Sequence, residues 1–290
     1  MKLDLWTFDV GVAADSPTAY AEECLRRVEE SWAEGADLVV FPEFCWVGLE
    51  KFVGASHGLR GVSDLFWKEL WPTMKKRLAS RGKAAVLGTA PFWDEETHRL
   101  FNRAPILCEG GALHQDKLHL TPWESAFAPG DAVRLWEFGG MTVAVIICLD
   151  IEVPELATRL RGKGVDLMVV PSATETILGV ERVDRCASAR AVELGCCVAV
   201  THLVGRAESD LIDDNVGRTA FYTPSQSAYL SCGRVIESPV VESGFQRLRC
   251  VVDADAMASM RSAVSETNPS LLPAERGGIE RSIVVVAPGK

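Results

Sequence analysis

The run from Met141 to Cys148 reads Met-Thr-Val-Ala-Val-Ile-Ile-Cys, and only Thr142 in it is polar. Its β-branched content favours a strand. A strand apolar on both sides must lie in a sheet that is covered on both faces. Leu38-Val39-Val40-Phe41 and Val165 to Val170 repeat the pattern. Helical signals fall between these runs. Ser16 before Pro17 is an N-cap with proline at the first helical position. Cys24, Leu25, Val28 and Trp32 then form one face, ending near Gly35. Further helices are expected from Val62 to Leu78 despite Pro72, from Pro154 to Leu160 and from Val180 to Leu194. Further strands are expected at Leu3 to Val10, Ala84 to Phe92, Phe101 to Cys108, Cys196 to Leu203, Thr219 to Thr223, Ala228 to Ile236 and Leu248 to Val252. Asp94 to Thr97 reads as a hairpin loop. The alternation predicts one compact α/β domain with a two-layer or sandwiched sheet core.

At about 150 residues per domain, 290 residues would allow two domains. No linker or repeat divides the chain, so one domain over 1–265 is expected. Residues 266–290, rich in Pro, Gly and charge, read as a C-terminal tail laid on a neighbouring subunit. The formal net charge of -10 argues against nucleic acid, whose phosphates would repel an acidic chain. Nine cysteines without a C-x-x-C pair point to thiols in a reducing compartment. Asp4 and Asp9 interrupt any signal-peptide core, and the apolar runs are far shorter than a bilayer span. A cytoplasmic protein without membrane partners is expected.

Three strand ends carry chemistry. Cys148 closes an apolar strand before a polar turn and a helix, where α/β folds place ligands. The backbone N–H groups of Leu149 and Asp150 could face a developing oxyanion. Taken alone, Cys148 is more simply an inert core thiol, and a free thiol near pKa ~8.5 needs help to react. Glu43 follows Leu38 to Phe41 and is bounded by Pro42 and Phe44. Partial desolvation would raise its pKa and suit it to proton transfer. Lys117 lies in the segment His114 to Glu124 and could supply fixed positive charge, with Glu124 holding it. Taken alone, each of these two acids and this lysine reads as an ordinary loop residue.

Together the three segments resemble the nitrilase superfamily of carbon–nitrogen hydrolases. Phe41-Pro42-Glu43 is similar to the glutamate segment, Lys117-Leu118-His119-Leu120 to the lysine segment, and Cys148-Leu149-Asp150 with Pro154-Glu155 to the cysteine elbow. Supporting matches are Phe127-Ala128-Pro129-Gly130, Val169 to Ala173 and Ala189 to Glu193. The resemblance implies an α-β-β-α sandwich of four layers, assembled as a homodimer or larger homo-oligomer. It also implies a Cys148-Glu43-Lys117 triad, supported by Glu124 and Leu149, that needs no metal or organic cofactor. The implied activity is a thiol-dependent amidohydrolase acting on a small amide or carbamoyl compound through a thioester, with release of ammonia or an amine. Nitrile hydrolysis and acyl transfer remain open on the same triad. Leu149, where many members have Tyr or Trp, and Leu194, in place of an Asn, depart from the pattern. Asp150 and Pro154-Glu155 lean towards the amidase and carbamoylase branches. Ala173 to Thr176, continuing through Arg182 and Arg185, is similar to a branch fused to acetyltransferase domains.

Residues after the strand ends are the pocket candidates: Trp46, Trp123, Glu152, Thr174, Glu175 and Arg182. Glu175 would favour a cationic substrate. Arg182 would favour a carboxylate, unless Arg182 and Arg185 merely pair with Glu181 and Asp184 along a helix. Rival readings are weaker. Gly54-Ala55-Ser56-His57-Gly58 fits the serine pattern G-x-S-x-G but follows a poor buried strand. His114 and His119 lack a cysteine pair to complete a zinc site. Cys45, two residues from Glu43, is the competing nucleophile. A catalytically silent scaffold would be expected to have lost at least one of Glu43, Lys117, Glu124 and Cys148.

Overall fold

Side chains alternate across Leu38–Phe41: Leu38 and Val40 enter one core cluster, Val39 and Phe41 another. That split organises the molecule. The computed structural model describes residues 1–54, 57–79, 82–109, 111–209, 211–230, 235–262 and 267–271. In chain order the strands are β1 (Lys2–Trp6), β2 (Phe8–Asp9), β3 (Leu38–Phe41), β4 (Ala84–Leu87), β5 (Ala90–Asp94), β6 (Arg99–Cys108), β7 (Gly111–Asp116), β8 (Leu135–Phe138), β9 (Met141–Val145), β10 (Leu167–Ser172), β11 (Cys197–Arg206), β12 (Asp214–Asn215), β13 (Thr219–Tyr222), β14 (Val235–Glu237) and β15 (Arg247–Val251). The helices are α1 (Pro17–Ala33), α2 (Gly58–Asp64), α3 (Trp71–Arg77), α4 (Pro154–Leu160), α5 (Ile177–Leu194) and α6 (Ala254–Ser262).

The first sheet runs β15-β1-β3-β4-β6-β5, with β7 paired to β6. The second runs β14-β13-β11-β10-β9-β8, with β2 and β12 on β11. Each has a parallel centre, β1-β3-β4 and β9-β10-β11, flanked by antiparallel strands. Leu3, Leu5, Leu38 and Val40 pack with Val143, Val145, Leu167 and Val169 between the sheets. Outside the first sheet, Val39 and Phe41 pack with Cys24 and Val28 of α1 and with Val62 and Met74 of α2 and α3. Outside the second, α4 and α5 contribute Leu156, Leu160, Val183 and Ala187. The order is α-β-β-α, as the resemblance implied.

The Ser16 cap forms as expected, its side chain accepting from the Ala19 N–H. Several expected elements are cut differently. Leu3 to Val10 is two strands, because the chain leaves the first sheet after Trp6 and joins β11 of the second at Phe8. Ala84 to Phe92 breaks at Gly88, whose φ of +64 suits glycine. A Cβ there would lie 2.2 Å from the Pro42 carbonyl oxygen and 2.3 Å from Cys45 Sγ. The Val62 to Leu78 helix starts earlier and carries a π stretch, Leu65–Leu70, just before Pro72, which has no N–H to give. Met141 to Cys148 stops pairing at Val145, so Cys148 belongs to a turn. Of Ala228 to Ile236, Ser227–Tyr229 is a 3₁₀ turn and strand pairing begins at Val235, while 231–234 lie outside the described residues. Strands β7 and β8 and helix α6 were not expected. Val47–Phe52 is a 3₁₀ helix, so no buried strand leads into the G-x-S-x-G segment, whose Ala55 and Ser56 lie outside the described residues. The expected tail does too, apart from 267–271. No helix among the described residues is long and apolar enough to cross a membrane.

Candidate active site

Glu43 comes from the end of β3, Lys117 from the end of β7, and Cys148 from the turn after β9. Two belong to the first sheet and one to the second, and they meet in the same cavity. Pro42 ends β3, and Phe44 turns the chain with a φ of 57 while its N–H donates to Thr89 Oγ1 at 2.8 Å. Cys148 has a φ of 45, a left-handed conformation that costs a non-glycine residue about 1–3 kcal/mol. Such strain persists only where surrounding packing imposes it, and it is characteristic of functional elbows.

Lys117 Nζ donates to Glu43 Oε1 at 2.8 Å and to Glu124 Oε2 at 2.7 Å. All three side chains are at most 1% exposed. Glu43 Oε2 accepts the Ala173 N–H at 3.1 Å, and Glu124 Oε2 accepts both the N–H and the hydroxyl of Thr121. Asn102 Nδ2 bridges the two acids, 2.9 Å from Glu43 Oε1 and 3.2 Å from Glu124 Oε1. The Cys148 thiol donates to the Ala173 carbonyl oxygen at 3.6 Å.

Burial pushes Glu43 up to about 7, against the opposing pull of Lys117. Burial, reinforced by the Glu43 charge, also raises the Cys148 thiol. Lys117 is driven down by burial but carried above its usual value by Glu43, Cys148 and Glu124. The arrangement is therefore a permanent cation, a carboxylate poised near neutrality and a thiol that keeps its proton at rest.

The cavity is about 350 Å³ and includes Glu43, Lys117, Glu124 and Cys148 in its wall. Of the other expected residues, Leu149, Trp123, Glu152, Thr174, Glu175 and Arg182 also line it. Trp46 does not: it is 0% exposed, donates through Nε1 to the Leu87 carbonyl and packs on Tyr20 and Phe66. Glu43 lies past the end of β3 and reaches the cavity together with Phe44, and beyond the positive φ of Phe44 the chain enters the α1-side core. Cys45 goes the same way, its thiol directed at the Leu87 carbonyl and raised by burial. The Asp150 N–H is committed to the Ile147 carbonyl, which leaves the Leu149 amide beside Cys148. Arg182 Nε pairs with Glu152 at 2.5 Å, Arg185 with Glu181, and Asp184 with Arg218. His119 pairs with Asp150. No group of three or more His, Cys, Asp or Glu is arranged to hold a metal ion among the described residues.

Sequence reasoning missed Asn102, Phe44 and the use made of Asp150. Asn102 carried a signal: it is a polar residue in the buried register of β6, between Leu100 and Ala104.

A model of the carbon-nitrogen hydrolase family matches residues 12–235. An (R)-stereoselective amidase of Pseudomonas sp. is 30% identical over 244 residues, 83% of this chain and 81% of that protein. A probable hydrolase of Bacillus subtilis, YhcX, is 29% identical over 70% of this chain but only 40% of its own length. This chain thus spans less than half of that relative. The crystal structure of a CN-hydrolase superfamily protein from Xanthomonas campestris superposes with a TM-score of 0.68 at 18% identity, covering 99% of this chain and 100% of that one. On these grounds the chain belongs to the carbon–nitrogen hydrolase family, and its α-β-β-α architecture is that of solved members of the nitrilase superfamily.

Proposed function

We propose that this enzyme hydrolyses a small, non-peptide amide through a thioester on Cys148. The observation that carries the reading is the meeting of Glu43 and Lys117 with Cys148 at one buried end of a cavity of about 350 Å³. Glu43 takes the thiol proton as sulfur attacks the carbonyl carbon. Because burial raises both groups, that transfer accompanies attack and does not precede it. The C–O double bond becomes an oxyanion, which Lys117 and the Leu149 N–H stabilise. Glu43 returns its proton to the nitrogen, the C–N bond breaks, and ammonia or an amine departs. Water then gives a proton to Glu43 and its oxygen to the acyl carbon, and the thiol is restored as the acid leaves. Glu124 and Asn102 hold Lys117 and Glu43 in place throughout.

The test is mass spectrometry of the intact protein, quenched during turnover of a panel of primary amides. The expected result is a mass increase equal to the acyl group, localised to Cys148 and absent from Cys148→Ala. An adduct elsewhere, or full activity in Cys148→Ala, would refute the assignment.

A further inference from the structure

Four carboxylates, Glu43, Glu124, Glu152 and Glu175, line the cavity against two cations, Lys117 and Arg182. Both cations are already engaged. Lys117 serves Glu43 and Glu124, and Arg182 is held by Glu152 at 2.5 Å, with the Glu152 side chain only 13% exposed. Glu175 has no ion-pair partner among the described residues. It stands on the rim shared by this cavity and an adjoining groove bordered by Ile177, Val216 and Val240. We infer that the amide accepted here carries a positive charge, a protonated amine, which Glu175 receives at the mouth.

Two further features bear on the sign. Trp123, 62% exposed, lines the same cavity, and indole rings attract ammonium groups. The N-terminus of α5, with Thr176 as its cap, opposes this with about half an elementary positive charge. The Glu175 carboxylate, one residue before that cap, offsets it with a whole charge. A carboxylate-bearing amide would meet an Arg182 whose charge is already offset by Glu152, in a wall that carries three further carboxylates. The choice left open between Glu175 and Arg182 therefore falls to Glu175, with Arg182 acting to neutralise Glu152.

The inference rests on the amide-hydrolase reading and is tested separately from it. The substrates are alkanamides of equal length ending in an ammonium, a methyl or a carboxylate group, followed by ammonia release. In the wild-type protein, kcat/KM for the ammonium amide should exceed that for the methyl amide by about tenfold at low salt, a gap that narrows as salt is added. In Glu175→Gln the ratio should collapse towards one. In Glu175→Lys it should invert, with the carboxylate amide ahead. Glu181→Gln removes one charge from the same helix region, next to Arg185, and should preserve the wild-type ratio. Turnover without charge preference, or a preference unchanged in both Glu175 variants, overturns the inference alone. No ammonia from any of the three amides overturns the reading beneath it as well.

Discussion

Asp150 holds His119 twice through one oxygen: Oδ1 accepts the backbone N–H at 2.7 Å and lies 2.8 Å from the ring Nδ1. Its Oδ2 accepts the Leu118 N–H at 3.1 Å. The turn that carries Cys148 is thereby tied to the segment that carries Lys117, across the two sheets. Asp150→Asn can accept through only one oxygen and should leave a part-buried N–H without its partner, costing about 1–3 kcal/mol. Thermal unfolding should show that loss, and kcat should fall about tenfold as Lys117 loses its fixed position. An unchanged kcat alongside a lowered unfolding midpoint would mean the tie is structural only.

Glu43 gives a pH signature. Its folded-state pKa of about 7 lies above the usual carboxylate value, so the carboxylate form that the proposed mechanism uses as base accumulates only as pH rises towards neutrality. The profile of kcat/KM should climb through an apparent pKa of about 7. Asn102→Ala removes a hydrogen bond to the charged form and should move that limb to higher pH. Stability runs the opposite way. Between the unfolded value of about 4.3 and the folded one, the native state binds more protons, so stability declines as pH rises across that window. Glu43→Gln should flatten this slope in denaturant titrations and abolish turnover.

Cys148→Ala should lower ammonia release by at least about 10³-fold. Cys148→Gly should do the same, with a revealing difference in stability. At a φ of 45, alanine keeps the strain that glycine escapes, about 1–2 kcal/mol. That relief offsets the lost methyl, worth about 0.8 kcal/mol. The two variants should therefore unfold within about 1 kcal/mol of each other, with glycine no worse. A markedly weaker glycine variant would show the turn to be unstrained.

Gly88→Ala should damage the site from outside it. The new methyl would press on the Pro42 carbonyl and Cys45 Sγ, immediately beside Glu43. Expected outcomes are a stability loss of about 2 kcal/mol or more and a fall in kcat, measured by denaturant unfolding and steady-state turnover. Wild-type behaviour in both would contradict the packing at this point.

The parts legible in the sequence were those fixed by short-range chemistry. Buried strands such as Leu38–Phe41 and Leu167–Ser172 announce themselves by composition, and α1 by its Ser16-Pro17 start. Glu43 and Cys148 stood out because one follows and the other closes such a run, whereas Lys117 lies in the polar segment His114 to Glu124 and was singled out by the resemblance. Trp46 was misplaced because one positive φ, at Phe44, redirects everything after Glu43, and no pattern announces a lone strained residue. Asn102 acts from the middle of a strand, where a polar residue declares itself only once its neighbours across the sheet are known. The pairing of Arg182 with Glu152 links residues thirty positions apart and was beyond any periodicity.

The crossing of the first strand from one sheet to the other, between Trp6 and Phe8, has a mechanical meaning. Glu43 and Lys117 hang from one layer and Cys148 from the other, so under the proposed mechanism reactivity depends on how the two layers are docked. A single continuous backbone rivets them, helped by the Thr201 hydroxyl of the second layer on the Trp6 carbonyl. Loosening that rivet would shear the acid and lysine away from the thiol while both sheets stayed intact. The enzyme's activity is thus a gauge of slip between its own halves, expected to fail before its secondary structure does.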